Sequence, residues 1–311
     1  MEFFKKQTNI PFMATRHWGY AIAGALILAS LLAVVFRGLN LTIDFTGGVT
    51  IEAVFPDVVD VDAVRAELER GGFEDAQAQN FGSARDVMIR LPPLRDREAT
   101  QVREEIQELL RRVDAGAEVR RLDIVGPQVG AELRESAIWA FFFTMLMIFI
   151  YVMFRFHTWR LSLGAILATL FDPILVLGFF ALTQMAFDLS VVAAILAVVG
   201  YSLNDKVVIF DRIRERFSVS RRLPIVQVLD ESINQTLSRT VMTAFTVLIV
   251  LIALYALGSA VLRPFAAALI VGVVLGHFSS IWIASALALD MGLKIEHLFP
   301  PEKKTPVDHL P

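Results

Sequence analysis

The chain has 311 residues, of which 55% are hydrophobic, and its mean hydropathy is +0.58. This excess of apolar residues excludes an ordinary soluble domain and indicates a membrane protein with several spans and a polar insert. The sequence contains no Cys, which excludes a disulfide framework, a thiolate nucleophile and a cysteine metal site.

The formal net charge of −3 is distributed unevenly along the chain. Segment 37–135 contains 13 Arg and 20 acidic residues, a net charge of −7, whereas the remainder of the chain carries a net charge of +4. The sequence therefore predicts one acidic soluble domain inserted into a membrane part that has basic flanks.

The first predicted membrane span is the uncharged run 18–36, which follows a short basic tail at residues 1–17. Its 19 residues are enough to cross a bilayer. A cleaved signal peptide is the alternative, but its apolar core has about 7 to 15 residues and ends at a site of small residues. Here the run is longer and passes directly into Phe36 and Arg37, so we expect an uncleaved anchor.

Segment 37–136 carries the periodicity of a soluble α+β domain. Strand-like runs and helical patterns follow one another in the order β-α-β-β-α-β, which predicts a ferredoxin-like fold. The segment contains no His, no glycine-rich nucleotide fingerprint and no metal-ligand cluster, so we expect a binding or mechanical domain. The predicted strands cover 49–55, 76–81, 87–91 and 118–125, and the predicted helices begin near residues 60 and 96.

Two glycine-containing motifs connect this domain to the membrane part. DFTGG occupies 44–48, after the first span, and GPQVG occupies 126–130, before the second. Gly reaches backbone conformations that other residues avoid and Pro fixes its own, so both motifs are candidate hinges. Each motif by itself is also typical of an ordinary turn at a membrane surface. The candidate hinge residues are Asp44, Gly47, Gly48, Gly126, Pro127 and Gly130.

Five further apolar runs complete a set of six predicted spans. They cover residues 137–154, 161–182, 189–210, 241–260 and 264–289, and a polar tail follows at 290–311. Pro173 lies inside the third span and predicts a kink beside Asp172. Segment 211–240 is a predicted loop. An amphipathic helix along the membrane surface is predicted there from four apolar residues at spacing four: Ile225, Leu229, Ile233 and Leu237.

The orientation of the spans follows from Lys and Arg, which are enriched in short cytoplasmic loops. In a six-span arrangement the Lys and Arg residues of the tails and short loops fall on the side of the two termini, and the opposite short loops hold only Arg263. The long domain 37–136 is exempt from this count. We therefore expect cytoplasmic termini and an extracytoplasmic domain 37–136. The basic residues on the terminal side are Lys5, Lys6, Arg16, Arg155, Arg160, Arg212, Arg214, Arg216, Arg221, Arg222, Arg239, Lys294, Lys303 and Lys304.

An ionisable cluster interrupts the fourth span. Residues 189–203 are uncharged and are followed directly by Asn204, Asp205 and Lys206. A charge at bilayer depth costs roughly 2.5 to 3.5 kcal/mol on insertion scales, so an intramembrane Asp is a candidate functional group with a partner nearby. We expect that partner to be Arg239, which precedes the fifth span. Burial opposes ionisation of a carboxyl and a guanidinium favours it, so such a pair is suited to loading and unloading a proton. The candidate proton-relay residues are therefore Asp205, Arg239 and Asn204.

Helix packing is the alternative role for these polar groups. Asp205 and Asn204 also suit hydrogen bonds between membrane helices. We expect Lys206 to extend its ammonium toward the lipid head groups.

Four other polar residues are weaker candidates. Asp211 and Arg212 also suit the solvated end of a helix. Asp172 and His277 each stand alone inside a span, where a single polar side chain often serves helix packing.

Four segments resemble the signature segments of the SecF family, a component of the bacterial Sec protein-export machinery. They are DFTGG (44–48), IVGPQVG (124–130), GYSLNDKVVIFDRIRE (200–215) and NQTLSRTVMT (234–243). The resemblance covers essentially the whole chain, including six spans with a soluble domain between the first and the second.

The resemblance implies a six-helix half of a twelve-helix bundle related to the resistance-nodulation-division transporters, with SecD supplying the other half. It also implies an inner-membrane protein whose domain 37–136 is periplasmic, and further partners: the SecYEG channel, the SecA motor, YajC and exported unfolded polypeptides. Use of the proton-motive force is implied as well, with Asp205 and Arg239 at the family's intramembrane Asp and Arg. The resemblance implies no cofactor, and it implies protons as the coupling ion.

Two other functions stay open. Half of a proton-driven efflux transporter for small molecules or lipids would need a substrate pocket in a large outer domain, whereas this domain is short and has no clustered aromatic residues. A passive scaffold of the export machinery would need no proton site. No nucleotide loop, nucleophile with base or metal-ligand set indicates an enzyme, and no nucleic-acid partner is expected.

Overall fold

The computed structural model describes residues 8–73, 76–93, 99–156, 158–219 and 223–294. Helix α1 (Arg16–Arg37) is the first long apolar helix, and the short helix α2 (Ile43–Thr46) follows it. Most of the predicted tail 290–311 lies outside the described residues, as do six of the basic residues that predict the orientation: Lys5, Lys6, Arg221, Arg222, Lys303 and Lys304.

The outer domain is a four-stranded antiparallel sheet covered on one face by two helices. Its elements are β1 (Gly48–Val54), α3 (Val61–Arg70), β2 (Gln77–Phe81), β3 (Ser83–Leu91), α4 (Ala99–Val113) and β4 (Glu118–Val125). The sheet has the strand order β2-β3-β1-β4, which together with the chain order confirms the predicted ferredoxin-like fold. The predicted helix start near residue 96 lies outside the described residues.

Alternation along β1 separates the two faces of this sheet. Ile51 is fully buried and packs in one hydrophobic core with Leu68 of α3 and Ile106 of α4. Thr50 and Glu52 point to the opposite face, since successive side chains of a strand alternate. This second face borders a cavity of about 400 Å³ between the sheet and the outer ends of the membrane helices.

Six helical segments of the described chain are long and apolar enough to cross a membrane, as predicted. Besides α1 they are α5 (Pro127–Phe156), α6 (Trp159–Thr183), α7 (Leu189–Val219), α8 (Ile225–Leu257), and α9 (Leu262–Phe278) continued by a π turn (Ser279–Ala284) and α10 (Ser285–Asp290). Helices α6, α7 and the α9–α10 segment form the centre of the bundle, whereas α1, α5 and α8 bury few residues of their apolar stretches.

Three of these helices, α5, α7 and α8, extend well beyond the predicted spans. Helix α7 continues to Val219, so residues 211–219 of the predicted loop are helical. Helix α5 begins at Pro127, which is favoured at a first helical position because its missing N–H needs no partner there. Helix α8 contains no Gly or Pro, so nothing ends it between the predicted amphipathic segment and the fifth span. The prediction of a separate helix on the membrane surface is wrong, because Leu229 and Ile233 are fully buried in the protein core.

Candidate functional site

Asp205 lies in the middle of α7 and is almost completely buried, with 2% of its surface exposed. Its Oδ2 atom is 3.3 Å from Nδ1 of His277 on α9. Tyr201 precedes Asp205 by four residues and therefore lies on the same face of α7. Nε2 of His277 is buried and has no hydrogen-bond partner in the described chain. The site thus joins a carboxyl and an imidazole across two central helices.

The expected ion pair between Asp205 and Arg239 is absent. Arg239 is exposed on the outside of the bundle, and it makes no ion pair or hydrogen bond with a described residue. Thr240, the next residue of α8, is buried and faces the bundle. Consecutive residues of a helix leave its axis about 100° apart, so the rotation of α8 turns the guanidinium away from Asp205.

Asn204 also faces away from the six helices. It is exposed and forms no side-chain hydrogen bond within the described part of the chain. Asn204 therefore does not join the Asp205 site, and it does not connect two helices of this bundle.

Lys206 belongs to a second buried polar group, which includes Asp172. Both side chains are 0% exposed, and Nζ of Lys206 is 3.4 Å from Oδ2 of Asp172. Ser202 donates a hydrogen bond of 2.5 Å to the same Asp172 oxygen and accepts one from Lys206. Ser279, in the π turn, accepts a further hydrogen bond of 3.0 Å from Lys206. The prediction that Lys206 extends toward head groups is wrong, because α7 turns this side chain toward α6.

Asp211 and Arg212 connect helices near the C-terminal end of α7. Arg155 of α5 donates a hydrogen bond of 2.5 Å to Oδ1 of Asp211. Arg212 donates to Gln235 of α8 at 2.7 Å and to Glu215 at 2.6 Å. The Asp211 and Arg155 side chains are each more than a third exposed, which agrees with a solvated helix end.

The two glycine motifs pack against each other at the base of the outer domain. Gly47 and Gly48 have φ values of 70° and 129°, which L side chains rarely adopt. Gly126 directly precedes α5, and its carbonyl accepts a hydrogen bond from the N–H of Gly130 at 3.1 Å. A Cβ atom on Gly130 would lie 2.9 Å from the Gly47 nitrogen, and one on Gly47 would lie 2.8 Å from Cα of Pro127. The motifs therefore form one close backbone junction.

Asp44 links this junction to the helix that carries Asp205. Its Oδ2 atom accepts hydrogen bonds from the N–H of Leu189, the first residue of α7, at 3.1 Å and from Thr42 Oγ1 at 3.3 Å. Thr42 N and Phe187 O form a backbone hydrogen bond of 3.0 Å just before α7. The start of α7 is therefore tied to the segment that leads into β1.

Arg90 of β3 ties the sheet to the same region. It donates a hydrogen bond of 2.8 Å to Oδ1 of Asn40, whose backbone carbonyl accepts the N–H of Phe187 at 2.8 Å. Burial lowers the pKa of the Arg90 guanidinium, and the Asp188 carboxylate opposes that shift. A positively charged side chain thus lies between the sheet and the loop that precedes α7.

Sequence reasoning placed Asp205 in the site but missed its partner and the group around Lys206. Within the part of the chain that the structure describes, no cluster of three or more metal-ligating residues occurs. From the sequence alone, Asp172 and His277 are weak candidates, because each stands alone in its span. The signal that identifies the second group is Lys206 itself, which lies one turn after Ser202 at the end of the uncharged run 189–203.

The chain matches two family models of protein-export proteins. Residues 105–294 match the protein export membrane protein SecD/SecF, C-terminal, and residues 32–55 match the SecD/SecF GG motif. The chain is 41% identical to protein translocase subunit SecF of Haemophilus influenzae over 300 residues, 96% of this chain and 91% of that protein. It is 42% identical to the Pseudomonas aeruginosa SecF subunit over 305 residues, 97% of this chain and 98% of that protein.

The fold is similar to solved structures of a longer protein. The crystal structure of SecDF from Thermus thermophilus matches with a TM-score of 0.83 and 36% identity, over 94% of this chain. The structure of SecDF in the super-membrane-facing form matches with a TM-score of 0.69 and 37% identity, also over 94% of this chain. In both cases the chain spans 39% of the length of the SecDF chain.

Proposed function

The chain belongs to the SecD/SecF family of protein-export membrane proteins, and we propose that it works with SecD to promote protein translocation by using the proton-motive force. As a multi-pass inner-membrane subunit of the Sec translocase it has an accessory role in transport. We place both termini in the cytoplasm and the ferredoxin-like domain in the periplasm, on the basis of the basic residues that flank the spans.

The observation that carries the proposal is the burial of Asp205 beside His277 inside the apolar bundle. An isolated ionised carboxylate in such a place is strongly unfavourable, so binding a proton is the direct way to neutralise it. Asp205 therefore serves as the proton-carrying group. His277 is the hydrogen-bond partner whose interaction with Asp205 changes when the carboxyl gains or loses its proton. Arg239 contributes from outside this six-helix unit.

Passage of one proton across the membrane by way of Asp205 supplies enough free energy to favour one helix arrangement over another. Moving one charge across 100 mV corresponds to about 2.3 kcal/mol, which changes the ratio of two conformations by more than ten-fold. The movement is passed to the outer domain through α7, because Asp44 and Phe187 join the start of α7 to the segment before β1.

The exposure of Arg239 and Asn204 supports the proposal that a second membrane subunit packs against the bundle. Arg239 lies at the start of the predicted fifth span, where its exposed guanidinium is available to an acidic side chain from a neighbouring helix. We assign this acidic side chain to SecD. The greater length of the SecDF chains is in accord with a second half of this kind. Through the same family relationship we propose contacts with SecYEG, SecA and YajC and action on exported unfolded polypeptides.

The test is the Asp205→Asn variant, reconstituted with SecD and the export channel in vesicles that carry a proton gradient. We expect normal membrane insertion and co-purification of SecD, but loss of the part of translocation that a protonophore abolishes. Asp211→Asn is the matched control, because Asp211 lies on the same helix at a solvated position, and it should keep that part. Full protonophore-sensitive stimulation by Asp205→Asn would overturn the proposal.

A further inference from the structure

Asp172 and Lys206 are oppositely charged groups sealed inside the bundle. Neither is exposed, and both side chains with which they share hydrogen bonds, Ser202 and Ser279, are at most 1% exposed. The group joins three elements, because Asp172 lies on α6, Ser202 and Lys206 lie on α7, and Ser279 begins the π turn. Charged groups in a bilayer core are rare and mark ion or proton pathways, so this second group requires an explanation of its own.

The hydrogen bonds pass through Ser202. The direct distance of 3.4 Å between Lys206 Nζ and Asp172 Oδ2 is longer than the roughly 2.7 to 2.9 Å of a good charge-assisted hydrogen bond. Ser202 instead receives a hydrogen bond from Lys206 and donates one of 2.5 Å to Asp172. A hydroxyl in this position can accept a proton on one side while it releases its own proton on the other.

One oxygen of the Asp172 carboxyl has no partner. Oδ1 is buried and forms no hydrogen bond with a described residue. A buried oxygen without a hydrogen bond costs more free energy in an ionised carboxylate than in a carboxylic acid, because the ion is more strongly hydrated in water. A buried ammonium is unfavourable for the same reason. The neutral pair, a carboxylic acid and an amine, is therefore accessible to this site.

Helix α6, which carries Asp172, and the helical segment that begins with α9 are both irregular near the pair. Pro173 follows Asp172 and cannot donate a hydrogen bond to the carbonyl four residues earlier, that of Thr169. On the other side, Ser279 begins a π turn, an irregularity that occurs often at functional sites. The group thus lies beside breaks in the regular α-helical hydrogen bonding of α6 and of the segment that continues α9.

We propose that Asp172, Ser202 and Lys206 form a second proton-exchange site, distinct from Asp205 and His277. Lys206 transfers a proton from Nζ to Ser202, and Ser202 releases its hydroxyl proton to Asp172. In this transfer the ammonium becomes an amine and the carboxylate becomes a carboxylic acid, and the net charge of the group is unchanged. The carboxylic acid then releases its proton to water when α7 rotates and exposes the site. This second step leaves an amine and a carboxylate and lowers the net charge by one, so the C=O band of Asp172 should be lost as the pH rises. This inference extends the proposed function, in which the bundle moves protons.

The two sites are coupled through α7. Asp205 and Lys206 are consecutive, so their side chains leave the helix about 100° apart, one toward α9 and the other toward α6. A rotation of α7 that exposes one site therefore alters the other. Gly276 of α9 lies next to His277. A Cβ atom on Gly276 would lie 3.0 Å from Ser202 of α7 and 3.6 Å from Asp172 of α6, so α9 is in close contact with both helices here.

The titratable neighbours of the pair are few. Tyr201 and Asp205 lie beside it on α7, and His277 lies on α9. None of the described titratable groups on α1, α5, α8 or α10 makes a hydrogen bond or ion pair with Asp172 or Lys206. Those groups are Arg16, His17, Tyr20 and Arg37 on α1, Glu132, Arg134, Glu135, Tyr151 and Arg155 on α5, Asp230, Glu231, Arg239 and Tyr255 on α8, and Asp290 on α10.

Infrared difference spectroscopy of the full chain in lipid nanodiscs tests this proposal. With aspartate labelled by ¹³C at the side-chain carboxyl, protonated Asp gives a shifted C=O band that Glu does not share. Spectra are compared between about pH 6 and pH 9, where exposed aspartates with pKa values of about 3.9 stay ionised. We expect two Asp bands that change with pH, one lost in Asp205→Asn and the other lost in Asp172→Asn.

Two further variants separate proton exchange from a structural ion pair. Lys206→Met removes the cation, so Asp172 should remain a carboxylic acid and its band should persist unchanged over the whole range. Ser202→Ala keeps both charges, and it should shift the frequency of the Asp172 band. Asp211→Asn, at the solvated end of α7, should leave both bands intact.

The outcomes distinguish the two proposals. A wild-type spectrum with a single changing Asp band, lost in Asp205→Asn and retained in Asp172→Asn, would overturn the second site and leave the proposed function standing. A spectrum whose only changing band is lost in Asp172→Asn would support the second site and contradict the role of Asp205. Two changing bands in the wild-type spectrum would support both sites even if a variant fails to fold. A single changing band is assigned by whichever of the two Asn variants folds.

Discussion

The carboxylate of Asp44 accepts a hydrogen bond from the backbone N–H of Leu189, with 3.1 Å between Oδ2 and N. Asp44 belongs to the DFTGG motif at the base of the outer domain, and Leu189 is the first residue of α7. The buried carboxyl of Asp205 lies on the same helix about four turns later. One continuous helix therefore connects the glycine junction to the candidate proton site.

Replacing Asp44 should weaken this connection. We expect Asp44→Ala to reduce the free energy of unfolding by about 1 kcal/mol, the usual effect of losing a helix-capping carboxylate, and to lower proton-dependent translocation. Asp60→Ala is the matched control, because Asp60 caps α3 inside the outer domain through the N–H of Asp62. Both variants should lose similar stability in thermal unfolding. Equal translocation by the two would show that the Asp44 contact is only structural.

The close approach of the two glycine motifs predicts a steric effect. In Gly130→Ala the new Cβ would meet the Gly47 nitrogen at 2.9 Å, so the junction must shift, at an expected loss of about 1 to 3 kcal/mol. Gly24→Ala in α1 has open space around it and should be neutral or slightly stabilising, because Ala is the better helix former. Thermal unfolding in nanodiscs measures both. Identical unfolding temperatures would contradict the packed junction.

His277 is expected to act through Asp205. A hydrogen bond to a charged group contributes about 1.5 to 3 kcal/mol, so His277→Ala should reduce protonophore-sensitive translocation roughly ten-fold or more. His17→Ala, which changes an exposed His near the start of α1, should have no such effect. The comparison is made in the reconstituted export assay at fixed pH. Unchanged export by His277→Ala would exclude the imidazole from the proton site.

Arg239 should matter for assembly and little for the stability of this chain alone. Because it is exposed and makes no hydrogen bond or ion pair with a described residue, Arg239→Ala should change the free energy of unfolding by less than about 0.5 kcal/mol. It should nevertheless reduce the amount of SecD that co-purifies in mild detergent. Arg155→Ala should behave in the opposite way, since it breaks the contact with Asp211 inside this chain. Full retention of SecD by Arg239→Ala would argue against an acidic partner at this face.

Local patterns in the sequence were enough to identify the architecture. The uncharged run 18–36 became α1, and the alternation around Ile51 became a strand of the predicted ferredoxin-like domain. Where the pattern failed, it failed at a boundary: nothing in segment 225–257 separates an interfacial helix from a span, and the structure forms one helix. Hydropathy and periodicity are short-range properties, so they report element type more reliably than element ends.

The sequence by itself determined that a carboxyl at position 205 is placed in a membrane span. Which group faces it was decided only by the tertiary structure, where His277 is adjacent and Arg239 is turned outward. In the same way Lys206 was visible as a charge, but its burial against Asp172 depends on how α7 is rotated toward α6. The physical reason is that electrostatic partners are set by the rotation and crossing of helices distant in the chain, and the periodicity of a single helix does not contain that information.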